Sequence, residues 1–205
     1  MLRRINNMAL YGLLLAITTG FSPLSAADQK ESTAAPDNKT ITAVIDTNKG
    51  KITLELYPDK APVTVANFVE YARSGFYNDT IFHRVVPGFM IMGGGYTFET
   101  KKKKTRAPIK NEADNGLKNI AGTIGMAHST DPQSATSQFY INLADNVSLD
   151  YTAPTPGGWG YAVFGKVVDG MDAVAKIERV RTITNFGMQN IPTMEVNIRR
   201  ITIQD

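Results

Sequence analysis

Alternating apolar and polar side chains run along two segments of this chain, residues 41–46 and 52–57, with Asn48, Lys49 and Gly50 between them. Because successive side chains of a strand point to opposite faces, a period of two predicts a β-strand. Two such segments around a glycine-containing loop predict a β-hairpin.

Further short apolar segments, bounded by Gly, Pro, Asn or Asp, predict more strands. They are residues 80–86, 89–92, 122–127, 138–143, 161–168 and 193–203. In the last of these, Met194, Val196 and Ile198 fall on one face. The alternation changes phase at Arg199 and Arg200, which predicts a β-bulge.

Two segments have helical spacing instead. Apolar residues at i, i+3, i+4 and i+7 predict a helix over residues 63–74, and Pro62 suits its first turn and Gly75 its end. A second, shorter helix is expected to follow Asp169 as its N-cap. The apolar positions of the two helices are Val65, Phe68, Val69 and Ala72, and then Met171, Val174 and Ile177.

The predicted elements are many short strands with two helices far apart in sequence, so strands and helices do not alternate regularly. A parallel α/β sheet is therefore not expected. A closed antiparallel β-barrel removes exposed strand edges and is the natural arrangement for such a chain. We find no internal repeat, and we expect a single domain over residues 40–205.

The first 27 residues have the pattern of a secretory signal peptide. Arg3 and Arg4 precede a mostly apolar run over residues 8–21, and small residues follow at positions 25–27. The apolar run is short for a transmembrane helix, although a retained membrane anchor is the alternative. Residues 28–39 are polar and unpatterned and are expected to be a disordered leader. We therefore expect export to the periplasm, with secretion beyond it as the other possibility.

Composition narrows the classes of partner. Removing residues 1–27 removes two of the 22 basic residues and none of the 19 acidic ones, so the formal net charge falls from +3 to +1. A nearly neutral domain has no overall charge that favours nucleic acid or a membrane surface. The chain has no cysteine and therefore no disulfide, so its stability must come from a hydrophobic core. We also expect a monomer.

The most informative segment is residues 81–95, which place Arg84 within a mostly apolar run that turns at Pro87 and Gly88. Strand alternation predicts that Phe82 and Arg84 share a face. A guanidinium on an apolar wall is unfavourable unless it has partners. Two interpretations follow: a structural ion pair, or a donor directed into an apolar pocket.

This segment resembles the central motif of the cyclophilins, a family of peptidyl-prolyl cis–trans isomerases. Residues 122–127, 135–142 and 161–167 resemble three further family motifs in the same order, and the signal peptide and Tyr161 resemble the exported bacterial branch. The resemblance implies an eight-stranded antiparallel barrel capped by two helices, with a proline pocket on its outer surface. It also implies an enzyme without metal or cofactor that acts on proline-containing segments of unfolded or folding proteins.

The family's functional residues correspond to positions of this chain. Arg84 matches the catalytic arginine. Gln138 matches a polar contact to the substrate backbone, and Ala127 and His128 match the segment whose main chain pairs with the substrate. The expected substrate-binding residues are Phe82, Phe89, Met90, Met92, Ala127, His128, Gln138, Tyr140, Leu149 and Tyr161.

Three positions depart from the family pattern. Met92 replaces a glutamine that hydrogen-bonds the arginine, so Arg84 is expected to be held less firmly. Tyr140 replaces a phenylalanine in the floor of the pocket, and its hydroxyl needs a partner if it is buried. Ser148 replaces an aromatic residue that contacts cyclosporin, so this drug is expected to bind weakly. Trp159, the only tryptophan, is a candidate substitute for that aromatic contact.

Alternatives remain for several features. His83 and His128 are the only histidines, and without cysteine they argue against a structural zinc site; His83 is expected to face the core. Residues 101–104, four consecutive lysines, are expected to be a solvated loop, with a patch for anionic partners as the alternative. A proline-recognising chaperone or assembly module with weakened catalysis is the alternative to an isomerase.

Overall fold

The computed structural model describes residues 40–185 and 187–204. The predicted signal peptide and leader lie outside these described residues. The strands are β1 Ile41–Thr47, β2 Gly50–Leu56, β3 Thr80–Val86, β4 Met90–Thr97, β5 Thr123–Met126, β6 Phe139–Asn142, β7 Val163–Asp169, β8 Thr182–Asn185, β9 Met188–Pro192 and β10 Asn197–Gln204. The α-helices are α1 Pro62–Arg73 and α2 Met171–Glu178.

Eight of these strands form a closed antiparallel barrel in the order β1-β10-β3-β4-β6-β5-β7-β2. The predicted fold class is therefore confirmed. The predicted hairpin is β1 and β2, which pair from Ile41 with Leu56 to Thr47 with Gly50. No helix among the described residues is both long and apolar enough to cross a membrane.

The last strand begins later than predicted. Residues 193–196 precede β10, and Met194, expected on the buried face, is 71% exposed. The predicted bulge is present, because Asp46 pairs with Arg200 whereas Thr47 pairs with Ile198, which leaves Arg199 as the extra residue. The extra residue explains the change of phase seen in the sequence.

The barrel interior is filled by apolar side chains of the strands and of α1. Phe68 of α1 is fully buried, and its ring lies 5.5 Å from that of Phe139 and 5.4 Å from that of Phe164. Rings at such distances stabilise a core beyond the area they bury. α2 adds Ala173, Val174 and Ile177 to the same core.

The first turn of α1 is capped by a residue from a distant loop. The Glu112 carboxylate, buried in the fold, accepts hydrogen bonds from the backbone N–H groups of Val63 at 3.1 Å and Thr64 at 2.8 Å. The first N–H groups of a helix have no partner within it, and a negative charge there also suits the helix dipole. The carboxylate therefore does what a local N-cap side chain does elsewhere.

The start of α2 differs from the prediction. Asp169 ends β7, and the N-cap is Gly170, in the left-handed conformation with φ 88°. A Cβ at this position would also overlap the carbonyl oxygen of Lys51. Only glycine combines this φ with so close an approach of two backbones. The prediction that Asp169 is the N-cap of α2 was therefore wrong.

The hairpin of β8 and β9 lies outside the barrel and was not predicted. It pairs Thr182 with Pro192 and Asn185 with Met188, and β9 packs against β3. At its base, both the backbone N–H and the hydroxyl of Thr193 donate to the carbonyl of Arg181, at 2.8 and 3.1 Å. This hairpin places new side chains next to β3, the strand that carries Arg84.

Candidate active site

A cavity of about 440 Å³ opens on the outer surface of the barrel. The predicted site residues that line it are Arg84, Phe89, Met90, Met92, Ala127, His128, Gln138, Tyr140, Leu149 and Tyr161. Five polar residues on the remaining wall were not predicted as site residues: Lys102, Thr105, Ser129, Ser134 and Thr136. Small polar side chains are common throughout the chain, so their types alone gave no signal.

Phe82 is the predicted site residue that the structure places elsewhere. It is fully buried in the barrel core, with its ring 6.0 Å from that of Phe139. Phe82 pairs with Gly93 whereas Arg84 pairs with Met92, so one extra residue interrupts the β3–β4 register. The bulge reverses the alternation, and the expectation that Phe82 shares the face of Arg84 was wrong.

One half of the cavity is apolar. Met90, Ala127 and Tyr140 are buried there in a cluster separate from the barrel core. Partly buried side chains pack around them, namely Val86, Phe89, Met92, Leu149 and Tyr161. An apolar concavity with few polar groups is the usual form of a small ligand site.

Tyr140 forms the floor, and its hydroxyl is satisfied. It is 2% exposed and donates a hydrogen bond to the side-chain oxygen of Asn119 at 2.6 Å. Burial, with the nearby Tyr161 and Asp150, raises the pKa of Tyr140 well above its ordinary value, so the hydroxyl keeps its proton. Gly125 makes room for it, because a Cβ there would lie closer than 3.0 Å to the end of the Tyr140 ring.

Asn119 links the floor to the walls. Its side-chain N–H₂ group donates to the carbonyl oxygens of Leu149 at 3.0 Å and Tyr161 at 3.3 Å. Asn146 in turn donates to the carbonyl of Phe89 at 2.8 Å. A satisfied buried polar network rigidifies the groups it joins, so these amides hold the walls of the cavity at fixed positions.

His128 and Tyr161 form one rim. Their rings stack with centroids 4.1 Å apart and planes inclined by 13°. The two ring nitrogens of His128 lie 2.7 Å from the carbonyl oxygen of Ser129 and 2.8 Å from that of Gly160. A neutral ring donates to one of these oxygens, and an imidazolium donates to both. The side chain of His128 therefore braces the rim, a role that the sequence did not indicate.

Of the four lysines at residues 101–104, one reaches the site. Lys101 pairs with Glu99 at 2.6 Å, and the ammonium of Lys103 lies 4.9 Å from the centroid of the Phe76 ring. Lys102 is exposed and lines the cavity. The run is thus mostly solvated, as predicted, with one member placed at the site.

Arg84 is half-buried on β3, opposite Met92 of β4. Within residues 40–185 and 187–204, no side chain forms a hydrogen bond or ion pair with its guanidinium. A structural ion pair, the first interpretation from the sequence, is therefore not what holds it. Its donors remain available beside the apolar half of the cavity.

Comparison with known proteins gives consistent matches. The family model described as "Cyclophilin type peptidyl-prolyl cis-trans isomerase/CLD" matches residues 42–203. Peptidyl-prolyl cis-trans isomerase B of Escherichia coli is 52% identical over 159 residues, covering 78% of this chain and 97% of that protein. Peptidyl-prolyl cis-trans isomerase A of Dickeya dadantii is 48% identical over 185 residues, or 90% of each chain.

The chain belongs to the cyclophilin family. It is a peptidyl-prolyl cis–trans isomerase that needs no cofactor. Among solved structures it resembles a Cryptosporidium parvum cyclophilin determined in the presence of the dipeptide Ala-Pro, with a TM-score of 0.66 and 28% identity over 80% of this chain and 99% of that one.

Position 148 of this cyclophilin carries no aromatic ring, and Trp159 was the candidate substitute for it. Ser148 is exposed and does not line the cavity. Trp159 packs instead against Tyr151, with ring centroids 5.5 Å apart in an edge-to-face arrangement, and it does not line the cavity either. Trp159 therefore does not supply the aromatic contact that Ser148 lacks.

His83, the other histidine of this cyclophilin, is buried as predicted. Burial, together with the charge of Arg84, lowers its pKa to about 4, so it is neutral at ordinary pH. Within the described part of the chain, no three His, Cys, Asp or Glu side chains cluster closely enough to hold a metal ion.

Proposed function

We propose that this cyclophilin accelerates rotation about X-Pro bonds in exported proteins as they fold, with Arg84 as the catalytic residue. The observation that supports this most is the position of Arg84, half-buried beside an apolar cavity and without a partner among the described side chains. Donors of this kind act best where water is scarce.

The chemistry requires no covalent step. Rotation about the X-Pro bond breaks amide resonance and faces a barrier of about 18–20 kcal/mol. In the twisted transition state the proline nitrogen regains a lone pair. A guanidinium N–H of Arg84 bonds that nitrogen only then, so it stabilises the transition state more than the ground state. Millisecond turnover needs a gain of about 10⁴, or roughly 5–6 kcal/mol.

The remaining residues have separate roles in this proposal. The proline ring rests on Tyr140 between Met90 and Leu149, where water is excluded. The main chain of Ala127 and His128 pairs with the substrate backbone, and Gln138 contacts it from the polar side. Gln138 is held in place because Gly95 packs directly against its side chain, with no space for a Cβ. A fixed frame of this kind lets one part of the peptide turn relative to the other.

A prolyl isomerisation assay with a short Ala-Pro peptide tests this function. Catalysis by the purified protein is expected, and a metal chelator should leave the rate unchanged, because side chains supply both the donor and the pocket. Binding of the peptide without acceleration would instead support the proline-recognising chaperone. Activity that disappears with chelator and returns with a metal ion would contradict the cofactor-free mechanism.

We also propose export to the periplasm, where the clients would be newly translocated chains. The support is the signal-peptide pattern of residues 1–27. Fractionation of cells that express the full chain, with N-terminal sequencing of the product, tests this. Recovery of the uncleaved chain in the cytoplasm would contradict it.

Cyclosporin is expected to bind this cyclophilin weakly. Neither Ser148 nor Trp159 supplies an aromatic ring to the cavity. Ser148→Trp adds apolar contact area next to Leu149, so it should tighten binding by at least tenfold, as measured by titration calorimetry. Val147→Trp, at an exposed neighbouring position, is the control and should change the affinity little. Nanomolar affinity of the unmodified protein would contradict this prediction.

A further inference from the structure

A second cavity adjoins the active site on the far side of Arg84 and Met92. It has a volume of about 350 Å³ and is also lined by His83, Tyr96, Met188 and Gln189. Arg84 and Met92 therefore form a wall shared by the two cavities. Met188 and Gln189 belong to β9, in the hairpin that lies outside the barrel.

Arg84 needs an acceptor that the neighbouring strand does not offer. Its partner across β3 and β4 is Met92, and a thioether sulfur is a weak acceptor. A long flexible side chain without an acceptor samples many rotamers, and ordering it in the transition state reduces the benefit of its hydrogen bond. A stronger acceptor close to Arg84 would order its side chain before the transition state and so avoid this reduction.

The polar side chains of the second cavity differ in how well they could serve as a hydrogen-bond acceptor for Arg84. His83 is buried, and its Nδ1 atom has neither a partner nor exposed surface. The Tyr96 ring packs against His83 at 4.6 Å, so its position is set by that contact. Gln189 is exposed and carries an amide oxygen, a strong acceptor.

We propose that Gln189 is a positioning residue for Arg84, whose guanidinium donates to the Gln189 side-chain oxygen as a substrate binds. In the structure, neither side chain has a hydrogen-bond partner among the described residues. Catalytic hydrogen bonds often form fully only in the substrate complex. The proposal rests on the proposed catalytic role of Arg84.

The hairpin is built to hold Gln189 at this position. β9 packs on β3, and Ile191 of β9 is buried. Asn190, directly after Gln189, has φ 57°, a left-handed conformation that is uncommon outside glycine. Such outliers persist where the surrounding structure fixes them, and they cluster at functional sites.

A set of variants in the purified protein tests the proposal. Gln189→Ala should lower kcat/KM on an Ala-Pro peptide by about 10-fold to 10²-fold, mainly through kcat, because a misplacement of a catalytic group by about 1 Å can cost about 10²-fold. Adding Met92→Gln to Gln189→Ala should restore most of the activity, since a glutamine then reaches Arg84 from β4. In an Arg84→Ala background, Gln189→Ala should have no further effect.

A control variant and a direct measurement on Arg84 separate a positioning role from other causes of lost activity. Thr184→Ala removes an exposed hydroxyl of the same hairpin that lines neither cavity, and it should leave kcat/KM unchanged. Exchange of the Arg84 Nε–H proton, followed by NMR with a bound proline peptide, should be faster in Gln189→Ala. This measurement reports on Arg84 even if the protein had no isomerase activity.

The outcomes are distinct. Wild-type activity with no loss in Gln189→Ala, or an equal loss in the Arg84→Ala background, would overturn the positioning role and leave the isomerase intact. A loss in Gln189→Ala that Met92→Gln does not repair would also overturn it. An inactive wild-type protein would contradict the proposed function itself, and unchanged Arg84 exchange would then overturn the positioning role as well.

Discussion

Replacing Arg84 with alanine is expected to lower kcat/KM for an Ala-Pro peptide by about 10² to 10³, the usual effect of removing one transition-state donor. The loss should fall mainly on kcat, because the apolar half of the cavity still binds the proline ring. Arg84→Lys should also be poorly active, since an ammonium lacks the planar fork of donors. Stopped-flow or NMR exchange measurements of isomerisation check both variants.

The fold is expected to survive this change, because Arg84 has no partner among the described side chains to leave behind. Arg200→Ala is the matched control: this exposed arginine lies on β10, which adds no residue to the cavity lining. It should retain wild-type activity. Near-wild-type kcat/KM in Arg84→Ala, with an unchanged circular dichroism spectrum, would show that the arginine assignment is wrong.

The second large effect is expected at Gly125, under the floor of the cavity. A Cβ there would overlap the end of the Tyr140 ring, which is held from below by Asn119. Gly125→Ala should therefore lower the free energy of unfolding by about 1–3 kcal/mol, as overpacking of a core does. It should also raise KM, because the displaced ring moves into the space for proline. Urea unfolding and steady-state kinetics measure the two effects.

In the Gly125→Ala protein, adding Tyr140→Phe should restore part of the free energy of unfolding and lower KM again. It removes one overlapping atom and the tether to Asn119, so the ring can slide. Gly157→Ala is the control, since Gly157 is exposed and a Cβ added there would meet no atom within 4 Å. Wild-type stability and KM in Gly125→Ala would mean that Tyr140 is not fixed as the structure indicates.

Periodicity predicted the parts of the fold whose physics is local. A period of two identified the hairpin of β1 and β2, and helical spacing placed α1 within one residue at each end. The phase change at Arg199 predicted the bulge in β10. Each of these signals depends only on which side chains face the core, and the spacing of apolar residues within one segment shows this directly.

Features that depend on a partner strand could not be predicted in this way. The bulge that turns Phe82 away from Arg84 exists because β4 places Gly93 opposite Phe82 and Met92 opposite Arg84. Nothing within β3 records that register. The Glu112 cap of α1 and the link from Tyr140 to Asn119 are similar, because both join residues far apart in sequence.

The residues that line the cavity were mostly predicted by resemblance, because they lie in motifs with a fixed order. Its second cavity was not, since the hairpin that supplies Gln189 lies outside the motifs and has mixed polar and apolar positions. At one position where this chain departs from the family pattern, the surroundings match the departure. Tyr140 has Asn119 and Gly125 to accommodate its hydroxyl.

The closure of the barrel sets a constraint on the order of folding. β10 pairs with both β1 and β3, so the first strand waits for a partner from the end of the chain, as in the pairing of Ile45 with Ile201. During synthesis, β1 and β3 each keep one open edge until β10 emerges, and open edges recruit other chains. Contacts so distant in sequence also slow folding. This enzyme accelerates X-Pro rotation, a slow step in the folding of other proteins, yet its own folding also ends with a late step. A chain lacking residues 197–204 is expected to aggregate, because its barrel cannot close.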